Sequence, residues 1–76
     1  MAFLVAKVHF ANGDVMEIPL NLEYLERVRL LEAQGFNGKK LIHELLTDDW
    51  ATPPATVELL GETADGAPVK ISLPYD

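Results

Sequence analysis

A chain of 76 residues, 49% of them apolar and none of them cysteine, can bury one core but has little room for a deep cleft, and it has no disulfide framework or thiolate metal site. Its net charge of −6 disfavours direct nucleic-acid binding, because phosphate attracts lysine and arginine. No apolar run approaches the ~20 residues of a membrane helix, so the expectation is one cytoplasmic domain that does not engage a membrane.

Met1 to Phe10 is apolar, lacks a basic region before it, and alternates in polarity. It reads as a strand and not as a signal peptide. An Asn-Gly pair follows at Asn12-Gly13, between two apolar runs, which is a strong hairpin signal. A two-residue loop would set Lys7 opposite Ile18 and mix charge into both faces. A three-residue loop, Ala11-Asn12-Gly13, pairs Lys7 with Glu17, Val8 with Met16 and Ala6 with Ile18. It gathers Leu4, Ala6, Val8, Phe10, Met16, Ile18 and Leu20 on one face. A one-residue slip would turn every side chain over, so this register is the one predicted, with Gly13 left-handed in a bulge.

Asn21 is placed to cap a helix from about Leu22 to Gln34. Leu22, Leu25, Val28 and Leu31 form its apolar stripe, while Glu23–Arg27 and Glu26–Arg29 pair on the wet side. Gly35 ends it in a left-handed cap against which Phe36 folds back. Asn37 opens a second helix, Gly38 to Leu46, that buries Leu41, Ile42, Leu45 and Leu46. Thr47 to Ala55 is the connector, and its Pro53-Pro54 pair forbids helix.

The last segment repeats the first hairpin. Ala64-Asp65-Gly66 has the same Ala-Asx-Gly form. A three-residue loop there pairs Leu59 with Ile71, Val57 with Leu73 and Gly61 with Val69. Pro68 and Pro74 lack an amide donor, which sends the final strand to an edge or breaks it at those points. The order ββααββ predicts a two-layer α+β sandwich, with an antiparallel four-stranded sheet and both helices on one face. A β-grasp arrangement is the alternative at this length. Nothing in the pattern decides which edges of the two hairpins meet.

Catalytic chemistry lacks its residues. There is no cysteine, and the lone serine, Ser72, lies mid-strand with no histidine near it in sequence. Of the two histidines, His9 falls on the open sheet face beside Val15. His43 precedes Glu44 without the second histidine that a zinc protease motif requires. Gly35 to Lys40 has the glycines and lysines of a phosphate loop at the wrong spacing, and no serine or threonine follows. Two lysines at a helix N-terminus still oppose the helix dipole, which hints at an anion or an acidic partner there. No enzyme activity, cofactor or catalytic residue is expected.

Two surfaces stand out instead. Residues 1–40 carry five acids and five bases, whereas residues 41–76 carry seven acids and one base, Lys70. Asp48, Asp49, Glu58 and Glu62 then form an acidic patch that fits a basic partner surface. Trp50, between those aspartates and the proline pair, either closes the end of the core or anchors an interface. The second surface is the open sheet face, with Phe3, Val5, Lys7, His9 and Leu60. An apolar patch of that kind marks a protein contact or a homodimer. In composition the chain resembles small acidic inhibitors of phages and mobile elements, anti-CRISPR proteins among them. That resemblance implies a non-catalytic protein-interaction module that works by surface occlusion. The competing expectation is an accessory domain that binds a small ligand or divalent metal through the Glu44–Trp50 segment.

Overall fold

The computed structural model describes residues 2–46 and 52–75. Along the chain lie β1 (Phe3–Phe10), β2 (Val15–Leu20), α1 (Glu23–Ala33), α2 (Gly38–Leu46), β3 (Pro54–Glu62) and β4 (Pro68–Pro74). The strands form one antiparallel sheet in the order β2-β1-β3-β4, so the ββααββ reading holds and the two hairpins join through β1 and β3. The β-grasp alternative does not form, since every neighbouring pair is antiparallel.

Both hairpins adopt the three-residue loop. In the first, the Phe10 N–H donates to the Asp14 carbonyl at 2.9 Å and the Gly13 N–H donates to the Phe10 carbonyl at 3.0 Å. In the second, Thr63 donates to Ala67 and Gly66 to Thr63 at the same distances. The two closing glycines sit at φ 95° and 89°, which only a residue without Cβ adopts cheaply. The second turn is further tied by the Thr63 hydroxyl, which donates to the Asp65 carboxylate. That bond, followed by the N–H groups of Ala67 and of Asp65 itself, holds the Asp65 carboxyl below its usual range.

These turns set the parity of the ladders. Antiparallel pairs alternate between residues that exchange hydrogen bonds and residues that do not. From the Phe10–Asp14 bond, Val8–Met16 and Ala6–Ile18 exchange theirs, whereas His9–Val15, Lys7–Glu17 and Val5–Pro19 do not. Pro19 therefore turns its missing donor away from β1. The same count on β4 turns Pro68 and Pro74 outward, since Glu62–Pro68 and Thr56–Pro74 are the non-exchanging pairs. A sheet joined through β4 would have set two prolines into a ladder, which is why the second hairpin joins through β3.

In extent the helices differ from expectation only at the ends of α1, while Arg27, expected to pair with Glu23, donates to the Glu44 carbonyl at 3.1 Å. The Asn21 side chain accepts the Glu23 N–H at 3.0 Å and its carbonyl accepts the Tyr24 N–H at 3.1 Å, so a turn precedes α1 and regular helix begins one residue late. At the other end, Phe36 N–H bonds the Leu31 carbonyl at 2.9 Å and Gly35 N–H bonds Glu32 at 3.0 Å. This is the Schellman cap, with Gly35 at φ 91° and Phe36 packed beside the core. β3 starts at Pro54, inside the expected connector, because the first residue of a strand tolerates a missing donor.

The core lies between the sheet and the helices. Leu4, Ala6 and Val8 of β1, Val57 and Leu59 of β3, and Leu73 of β4 meet Val28 of α1 and Leu41, Ile42, Leu45 and Leu46 of α2. Leu25, Ile18 and Ile71, expected in the core, are half-buried at its rim, because β2 and β4 are edges and α1 inserts only Val28.

Candidate functional site

The face of the sheet turned away from the helices is the candidate surface. Strand side chains alternate, so burying Leu4, Ala6, Val8, Val57 and Leu59 necessarily turns Phe3, Val5, Lys7, His9, Glu58, Leu60 and Glu62 to the other side. The registers arrange that side in rows across the strands. Val15, His9, Thr56 and Pro74 form one row, and Glu17, Lys7, Glu58 and Ser72 the next. Pro19, Val5, Leu60 and Lys70 follow, then Phe3, Glu62 and Pro68. The face is thus charged in its middle and apolar at the end where Phe3, Val5 and Leu60 cluster.

Phe3 is 46% exposed and Val15 52% exposed, while Val5 and Leu60 are half-buried by their neighbours. In the charged rows, His9 Nε2 and Glu58 Oε1 lie 2.6 Å apart, and Lys7 Nζ lies 3.9 Å from Glu17 Oε1. The first is a short hydrogen bond between half-buried groups. The second is long and solvated, and contributes little. The sequence placed His9 on this face beside Val15 but missed Glu58 as its partner. Glu58 lies one step diagonally from His9 across β1 and β3, and that neighbour exists only once the strand order is known.

The two sets of residues singled out in the sequence overlap here. Glu58 and Glu62 stand among Phe3, Val5, Lys7, His9 and Leu60, not apart from them. Asp48, Asp49 and Trp50 lie outside the described residues, as does the Glu44–Trp50 segment from Thr47 onward. Among the described residues no three His, Cys, Asp or Glu side chains gather as metal ligands would, and no helix is long and apolar enough to cross a membrane.

On the opposite side of the molecule Phe36, Lys39, Lys40, His43 and Glu44 line an open depression of about 500 Å³. The basic pair that drew notice in the sequence is therefore on its rim. His43 is held by Tyr75, whose hydroxyl oxygen lies 2.8 Å from its Nε2. Tyr75 is itself 9% exposed and extends the β3–β4 ladder through its N–H to Ala55, at 3.1 Å. Sequence reasoning passed over Tyr75, although it continues the inward alternation of Val69, Ile71 and Leu73. Comparison with family models, with curated proteins and with solved structures gives no match.

Proposed function

We propose that this protein is a non-catalytic protein-interaction module that acts by surface occlusion, with the open sheet face as its contact. The observation that carries the reading is that face. It is broad, no helix among the described residues covers it, and at one end it exposes Phe3 beside the half-buried Val5 and Leu60. An apolar cluster bordered by charged residues is a common make-up of a protein contact. The partner that fits is a protein with an apolar spot for Phe3 and Leu60 and basic groups for Glu17, Glu58 and Glu62. The acidic excess of residues 41–76 supports the same partner, and with it an inhibitor of the small acidic phage or mobile-element type.

The test is capture from lysate with three baits: wild type, Phe3→Ser combined with Leu60→Thr, and Leu30→Ser. Leu30 is 60% exposed on α1, away from the sheet, and controls for loss of any exposed leucine. A specific protein should be recovered equally by wild type and Leu30→Ser, and at least about tenfold less by the face variant. Equal recovery by all three removes the sheet face as the contact.

A further inference from the structure

Two asparagine-glycine pairs stand in this chain, Asn12-Gly13 and Asn37-Gly38. In such a pair the glycine, having no Cβ, lets its own nitrogen approach the carbonyl carbon of the preceding side chain. The sequence makes the two pairs equal, and the structure separates them. In the first hairpin the Gly13 N–H donates to the Phe10 carbonyl at 3.0 Å. Asn12 Oδ1 accepts the Asp14 N–H and Asn12 Nδ2 donates to Asp14 Oδ2, both at 3.0 Å. The attacking nitrogen and the amide it would attack are thus both tied. Ahead of α2 neither is tied. Among the described residues the Gly38 N–H meets no acceptor and the Asn37 side-chain amide meets no partner. Asn37 is exposed, so water reaches it.

The geometry points to Asn37 as a site of spontaneous deamidation, with Asn12 held inert by its turn. The Gly38 N–H gives its proton to water, and the nitrogen forms a bond to Cγ of Asn37. The Cγ–Nδ2 bond breaks, and Nδ2 takes up a proton from water and leaves as ammonia. Water then opens the cyclic imide on one of its two sides. Breaking the bond to Cγ leaves aspartate. Breaking the bond to the main-chain carbonyl carbon leaves isoaspartate, in which the chain runs through the former side chain. The N-terminus of α2 and the charges of Lys39 and Lys40 lie beside this spot. They favour the negative charge that develops on the Gly38 nitrogen and on the attacked oxygen.

The position gives the change its consequence. The new carboxylate falls beside Lys39 and Lys40, which line the depression with Phe36, His43 and Glu44, and it offsets their charge. It adds one negative charge to a chain that carries −6. In the isoaspartate product the carbonyl that accepts the Leu41 N–H at 3.3 Å leaves the main chain. That loosens the first turn of the helix that buries Leu41 and Ile42. The change runs one way, so this surface loses positive charge as the molecule ages.

The test is peptide mapping by mass spectrometry of the full chain held in warm, mildly alkaline buffer, folded and in guanidinium chloride. Deamidation adds about 1 Da to the peptide that carries it. Because several hydrogen bonds guard Asn12 only in the folded state, the ratio of Asn37 to Asn12 conversion should be at least about tenfold higher there than in the denaturant. Asn37→Gln, which would have to close a larger ring, should cut ammonia release by the folded chain at least about tenfold. That variant keeps Gly38, whose φ of 51° suits a residue without Cβ. A folded ratio no higher than the denatured one, or ammonia release from Asn37→Gln equal to wild type, overturns the inference. So does a folded chain in which Asn37 stays intact while the denatured chain converts it.

Discussion

At Gly61, in the middle of the sheet, an added Cβ falls against the Phe3 carbonyl oxygen and reaches 3.0 Å from the Leu4 Cα. Both obstacles are backbone atoms of β1, which cannot swing aside as a side chain end can. At Gly13 the situation is reversed: nothing lies within 4 Å, but φ is +95°. The first glycine is required by space and the second by backbone conformation. Gly61→Ala should therefore cost about 3 kcal/mol, as overpacking against rigid atoms does, and Gly13→Ala about 1 kcal/mol. Urea denaturation of the two variants checks the order. A Gly61→Ala protein as stable as Gly13→Ala would mean that β1 yields to the methyl group. At the same scale, Glu58 is more than a surface acid, because the His9 imidazole lies 2.6 Å from it.

Between elements, the division of labour in the helical layer is uneven. The nine-residue α2 buries Leu41, Ile42, Leu45 and Leu46, which are spaced so that one face is wholly apolar. The eleven-residue α1 buries only Val28 and leaves Leu30 exposed. Ile42 is 0% exposed, so Ile42→Ala leaves a cavity as well as losing transfer energy, and should cost about 2–5 kcal/mol. Leu25→Ala, at the half-buried rim, should cost nearer 1 kcal/mol. Thermal melts of both variants test this. Similar losses would show that α1 holds the sheet as firmly as α2. For so small a chain the Ile42 loss is a large part of the total stability.

Over the whole molecule the −6 charge is carried by residues 41–76. If those acids steer a basic partner, neutralising Asp48, Asp49, Glu58 and Glu62 together, as Asp→Asn and Glu→Gln, should slow association and flatten its salt dependence. A charge change outside the core typically shifts folding by only about 0.5 kcal/mol. Changing Glu58 costs more, since its bond to His9 adds about 1 kcal/mol. Stopped-flow association with the captured partner, at low and high salt, reads the effect. Unchanged rates and slopes would leave the acids as solvation alone, with Phe3 and Leu60 the groups that matter.

Much of the fold was legible in the sequence because its signals are local. Asn12-Gly13 and Asp65-Gly66 each dictate a turn, and alternation around them admits one register without mixing charge into the core. Gly35 stops α1 for the same backbone reason. Pro68 and Pro74 pointed to an edge or a break in β4, but which edges of the two hairpins would meet stayed open. What the sequence alone did not decide was which residues of different hairpins become neighbours. The His9–Glu58 bond, the clash waiting at Gly61 and the merging of Glu58 and Glu62 with the Phe3–Leu60 face all arise across the β1–β3 pairing. That pairing joins residues about fifty positions apart, and no local periodicity reports it. The tertiary structure also decided how deeply each apolar residue sits. A stripe of leucines on α1 has the pattern of a core face, but its burial depends on where the sheet ends beneath it.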